Sequence, residues 1–149
     1  MNRQGHQGKE RFQVDMTRIE FSSDCFLPYL PESCQANPGA YGFELALWLS
    51  KALMQTGIVT GYPLGEDWGW FIEYLEEDAE FMIGCGCAAS EGEGYLDQPI
   101  LWSIFVRPVL SPKQRWRGQT TPAIEAKLTR AIVAVLEAEG ITIRAEETA

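Results

Sequence analysis

Cys85-Gly86-Cys87 carries the most reactive side chains of this chain. Two thiols placed two residues apart on a strand point to the same face. With Cys25 and Cys34 they can hold a soft metal, and as a pair they can cycle between thiols and a disulfide. The surrounding residues argue for packing instead. The shared face continues through Phe81 and Ile83, where a reduced cysteine behaves as a small hydrophobe. Eight residues separate Cys25 from Cys34, against about two to four between the paired cysteines of a zinc site. No base stands near Cys85 to lower its thiol pKa. Cys85 and Cys87 are therefore expected to be buried and without metal, and no cofactor is expected.

Acids and indoles are neighbours in Gly65-Glu66-Asp67-Trp68-Gly69-Trp70. Read as a strand, residues 68–76 put Trp68, Trp70, Ile72 and Tyr74 on one face and Phe71, Glu73 and Leu75 on the other. An aromatic row of this kind is either core or a wall beside carboxylates, and a ligand cation is drawn to both indoles and acids. Glu66, Asp67, Trp68, Trp70, Glu73 and Tyr74 are the expected partner- or ligand-binding residues. Carboxylates in pairs also do acid/base work, as in glycosidases. On the next strand the face opposite the cysteines holds Glu80, Met82, Gly84, Gly86 and Ala88. Glycines there mark either a binding floor or tight packing under a helix. Lys113, Arg115 and Arg117 alternate around Gln114 and Trp116, a footprint better suited to pairing with acidic surface than to nucleic acid.

Several chemistries lack their residues. The one histidine is His6, in the N-terminal stretch, so a Ser-His-Asp or Cys-His site has no base in the folded part. No GxGxxG or GxxxxGK[ST] loop is present to cradle a phosphate. Charge is uneven. Residues 19–100 hold fourteen carboxylates and one base, Lys51, for a local charge of −13 within a total of −9. Such a field repels nucleic acid and attracts basic surfaces. No apolar run reaches the roughly 18–20 residues of a membrane span, and the first residues lack the apolar stretch of a secretory signal. A cytoplasmic protein is expected, in contact with neither nucleic acid nor membrane.

Periodicity and punctuation supply the elements that must position these residues. A strand is predicted over 12–21, with a bulge near Thr17 where its parity changes. A helix is predicted over 38–56, capped by Asn37, opened by Pro38 and closed by Gly57. Its stripe of Phe43, Leu47 and Met54, added to the main apolar face, suits packing on two sides or a homodimer. Strands follow from Gly57 to Thr60, Trp68 to Glu76, Ala79 to Ala88 and Ile100 to Arg107. A second helix over 122–139 is capped by Thr121 and closed by Gly140, and Ile141-Thr142-Ile143 is a last strand. The two helical units look alike, through duplication of a strand–helix–strand unit or because good caps resemble one another. The predicted fold is an α+β two-layer sandwich, a mainly antiparallel sheet of five to six strands with two helices. Residues 12–144 are expected to form one domain, 1–11 a flexible tail and 145–149 a C-terminal tail.

Three functions fit. The first is a non-enzymatic acidic protein, of an immunity, inhibitor or chaperone kind, that engages a basic partner protein. The second is a sensor binding a cationic aromatic small molecule in a groove lined by Trp68, Trp70, Tyr74 and an acid. The third is a small enzyme using paired carboxylates or Cys85/Cys87. A pocket with aromatic walls favours the sensor, a flat acidic face the protein binder, and convergent thiols or carboxylates the enzyme.

Overall fold

Alternation along the strands settles which side of the sheet is dry. In the computed structural model, which describes residues 17–109 and 122–148, every second residue of the central strands is buried on one face. These are Ile19 and Phe21 of β1 (Thr17–Ser23), Ile72 and Tyr74 of β3 (Gly69–Glu76), Phe81, Ile83 and Cys85 of β4 (Ala79–Cys87), and Ile100, Trp102, Ile104 and Val106 of β5 (Ile100–Pro108). Leu45, Leu49 and Leu53 of α1 (Phe43–Met54) and Leu128, Ile132 and Leu136 of α2 (Pro122–Ala138) cover that face. Full burial of a large apolar side chain contributes about 1.5–3 kcal/mol. A strand turned over would lose several of these at once, so its facing is firmly specified.

The edges are β2 (Leu64–Glu66) and β6 (Ile143–Thr148), and the six-stranded sheet runs β2-β3-β4-β5-β1-β6. Every neighbouring pair is antiparallel. With both described helices on one face, the result is an α+β sandwich of two layers. Among the described residues no helix lies over the other face of the sheet. No helix among the described residues is long and apolar enough to cross a membrane.

Both helices stop as their glycines predict. Gly57 and Gly140 take φ of +93° and +91°. The Ile58 N–H then donates to the Leu53 carbonyl, and the Ile141 N–H to the Leu136 carbonyl, each at 3.0 Å. This is the closure in which an apolar residue beyond the glycine anchors the helix end. The two helical units share this closure. Their flanking strands are placed differently: three strands separate β1 from β2 in the sheet, whereas β1 alone separates β5 from β6.

Helix α1 starts later than Asn37-Pro38 suggests. Gly42 is its N-cap, and the Asn37 side chain instead donates to the Asp67 carbonyl at 3.0 Å. The strand expected from Gly57 is displaced too. Ile58 serves the helix closure, Pro63 lacks an N–H, and only Gly61 reaches β3, through the Glu73 carbonyl at 2.8 Å. Regular pairing begins at Leu64. β1 extends to Ser23, and among the described residues its register with β6 shifts between Glu20 and Phe21, while the bulge expected near Thr17 borders residues outside the description. β6 runs through most of the expected C-terminal tail, because residues 145–148 pair with β1. The tail of residues 1–11, the strand segment 12–16, the cap Thr121 and the basic run Lys113, Arg115 and Arg117 lie outside the described residues.

Candidate functional site

The expected site residues divide between the two faces of the sheet. Trp70 and Tyr74 belong to the covered side. The Trp70 indole N–H donates to Gln35 Oε1 at 2.9 Å, and its ring stands edge-on to Phe43 at 5.2 Å. Tyr74 is buried, and its hydroxyl donates to Glu76 Oε1 at 2.7 Å. Glu76 also accepts from Lys127 Nζ at 2.6 Å. The Lys127 contact, helped by the Tyr74 hydroxyl, holds the Glu76 carboxyl below its ordinary pKa. Glu66 and Asp67 are exposed at the tip of the β2–β3 hairpin, and Glu73 is exposed farther along β3.

Trp68 leaves the row that strand parity assigns it. Asp67 and Trp68 form a two-residue turn between the paired Glu66 and Gly69. Gly69 takes a φ of +155°, and a Cβ there would collide with the Cys85 carbonyl. Only glycine lets the chain pass so close to β4 and change direction. The indole folds over the open face, with its ring centroid 5.0 Å from Phe105 and 6.4 Å from Phe71. Its Cε3 lies 3.8 Å from where a Cβ on Gly86 would stand. Beside it, the Phe105 ring occupies the space a Cβ on Gly84 would need. The two β4 glycines therefore make the floor on which both rings rest. Trp68 keeps 38% of its surface exposed.

Arg18, Trp68, Gly86, Cys87, Ser103, Phe105 and Arg107 line a groove of about 380 Å³ on this face. Arg18 pairs in register with Phe105, so Arg18 and Arg107 are diagonal neighbours, about 7–8 Å apart at the backbone. Arg18 Nη1 donates to Ser103 Oγ at 3.1 Å. Arg107 Nη2 donates to Met82 Sδ at 3.2 Å, and its guanidinium carbon sits 5.7 Å from the centre of the Phe105 ring. The register partner of Arg18 on β6 is Glu147, yet the one ion pair among the described residues is Lys127–Glu76. Two cations thus stand together in an acidic protein with no described carboxylate bridging them. Arg18, Ser103, Phe105 and Arg107 are absent from the residues the sequence singles out. Their signal was the alternation Leu101-Ser103-Phe105-Arg107, whose adjacency to Arg18 depends on strand order.

A loop network fixes the hairpin that carries Trp68. The Glu32 carboxylate accepts from the Tyr41 hydroxyl at 2.6 Å, the Gly39 N–H at 2.7 Å and the Gly92 N–H at 3.0 Å. Burial pushes the Glu32 pKa up, but these three donors outweigh it and the net shift is downward. From the loop so anchored, Gln35 holds Trp70 and Asn37 holds Asp67. The buried Glu44 carboxylate accepts the Tyr29 and Leu30 N–H groups at 3.0 and 2.9 Å, tying the same loop to α1.

Of the four cysteines, Cys87 lines the groove. Cys85 is fully buried in the core, and burial drives its pKa far above the ordinary value. Cys87 is half-buried; burial raises its pKa too, and its Sγ contacts the Gly39 carbonyl at 3.5 Å. Cys25 and Cys34 are exposed and unbridged. Among the described residues no cluster of three or more His, Cys, Asp or Glu is arranged to hold a metal ion. Comparisons with protein families, curated proteins and solved structures find no match to this chain.

Proposed function

We propose that this chain is a non-enzymatic binding domain whose small-molecule ligand lies on the face of the sheet opposite α1 and α2, against Trp68 and Phe105. The observation that carries this reading is the position of Trp68, which is laid over glycines on the open face instead of packed in the core. Indole and phenyl rings standing half in water are costly to expose and offer large contact area to a ligand. The groove volume of about 380 Å³ falls within the roughly 300–1,000 Å³ usual for small-molecule sites. Its polar groups, two guanidiniums and a hydroxyl, are hydrogen-bond donors suited to orienting a ligand.

A fragment screen by amide and indole NMR on the full chain tests the proposal. Binding fragments are expected to move the Trp68 indole, Gly86, Ser103 and Phe105 signals together. Shifts that gather on the helical side, or a library that moves none of these signals, would overturn it.

One observation favours a second reading. Glu66 and Asp67 are exposed at the hairpin tip beside the exposed edge of Trp68, a small acidic surface with an aromatic anchor that fits a basic partner protein.

A further inference from the structure

Resting on the proposed small-molecule groove, we infer its ligand class: a small organic oxyanion, a carboxylate or phosphate ester attached to a flat apolar group. Arg18 and Arg107 bind the oxyanion, and Trp68 and Phe105 flank the apolar part. The sign of the charge is opposite to that expected from composition, and the reason is local. Net charge is −9, but at physiological ionic strength screening confines an exposed charge to about 8 Å. The charged residues that line the groove itself are the two arginines, while Glu20, the register partner of Ser103, and Glu147, that of Arg18, stand on the same face without lining it.

The two guanidiniums also have donors to spare. Each guanidinium has five N–H donors in a planar fork. Among the described residues Arg18 uses one on Ser103 and Arg107 one on Met82. A thioether is a weak acceptor, so Arg107 in particular lacks a partner equal to its charge. These contacts aim the side chains without neutralising them. Like charges on adjacent strands repel, and an oxyanion between them would remove that repulsion while accepting from both forks. The Ser103 hydroxyl, which accepts from Arg18, keeps its own O–H to donate. Phe105 supports Arg107 from below through the cation–π contact, which keeps the guanidinium beside the rings. An acceptor at the arginines and a flat group over the indole thus belong to one ligand.

The test is NMR titration of the full chain with benzoate and phenyl phosphate, their neutral counterpart benzamide, and inorganic phosphate. The reporters are the Trp68 indole N–H and the Nε–H signals of Arg18 and Arg107. Benzoate or phenyl phosphate should move all three reporters and bind at least about tenfold more tightly than benzamide, the scale of a charge-assisted hydrogen bond. Inorganic phosphate should move the arginine signals and leave Trp68 in place. Arg18→Gln and Arg107→Gln should each weaken benzoate or phenyl phosphate by about tenfold or more, and Arg→Lys at the same sites should weaken them less, because lysine keeps the charge but loses the fork. An unchanged Trp102 indole signal certifies that each variant is folded, since Trp102 is wholly buried.

Benzamide binding as tightly as benzoate, or affinity untouched in both Gln variants, would overturn the oxyanion assignment while leaving the groove a binding site. Oxyanions silent at Trp68 up to about 10 mM, when screened fragments do move it, would have the same meaning. A Trp68 signal that no compound moves would overturn the groove itself.

Discussion

Two glycines of the open face differ in what a methyl group would meet, and so in what they are for. At Gly69 an added Cβ runs into the Cys85 carbonyl, and φ is +155°. Neither the β4 backbone nor that dihedral yields easily. Gly69→Ala is expected to destabilise the fold by about 1–3 kcal/mol or more, the usual cost of backbone strain. At Gly84 the added Cβ meets the far end of the Phe105 ring, which can swing toward solvent. Gly84→Ala should cost less, about 1 kcal/mol or below, yet it lifts Phe105 off the floor and takes away the ring that Trp68 leans on. Urea midpoints should rank Gly69→Ala well below Gly84→Ala. The Trp68 indole signal should move strongly in Gly84→Ala. The reverse ranking would show that the groove floor, and not the hairpin crossing, carries the strain.

At the level of elements, the hairpin and the loop before α1 act as one unit held by Glu32. Its pKa is net lowered from 4.5 by Tyr41, Gly39 and Gly92, against the opposing effect of burial. The unfolded carboxyl titrates near the ordinary value. The stabilisation is therefore complete above about pH 4.5 and is lost as pH falls through the lower folded value. Tyr41 works in the opposite range. Burial first, and then its bond to Glu32, raise its pKa from 10.0 to about 12. Its share is full below pH 10 and disappears as pH rises toward 12. Glu32→Gln should lower stability at neutral pH, flatten the acid limb and bring the Tyr41 ionisation down. Denaturant midpoints across pH, with tyrosinate absorbance at the alkaline end, measure all three. An acid limb identical in wild type and variant would remove Glu32 as the anchor.

The whole molecule combines a field of one sign with a small patch of the other. The block from residue 19 to 100 carries −13, and its acids stand mostly in solvent, where they act at long range and are screened by salt. This is the physical basis of the second reading, in which the hairpin tip meets a basic partner. If that reading holds, a partner captured from the native host at low salt is released at high salt. A variant carrying Glu66→Gln and Asp67→Asn should associate more slowly and with a flatter salt dependence. Circular dichroism checks that the variant is folded. Equal rates and equal salt dependence in a folded variant would end the proposal for the tip. The oxyanion groove would stand, because its arginines are untouched.

The sequence by itself determined what depends on neighbours along the chain. Alternation in Phe81-Met82-Ile83-Gly84-Cys85-Gly86 separated a core face from a face carrying two glycines, and the structure buries the first and lays Trp68 and Phe105 on the second. Gly57 and Gly140 ended their helices through backbone conformations that other residues adopt with strain. The tertiary structure decided the rest. Asn37 reads as a helix cap, but its amide is engaged thirty residues away at Asp67. Trp68 reads as part of a row with Trp70 and Tyr74, but period 2 holds only within a strand, and the turn at Asp67-Trp68 with the crossing at Gly69 sends the indole to the other face. The arginines are the clearest case. Arg18 and Ser103 are 85 residues apart in sequence and 3.1 Å apart in space, because β5 adds to β1 in the sheet. Strand order follows from burying all the apolar faces together under two helices, a property of the whole chain that no local spacing contains.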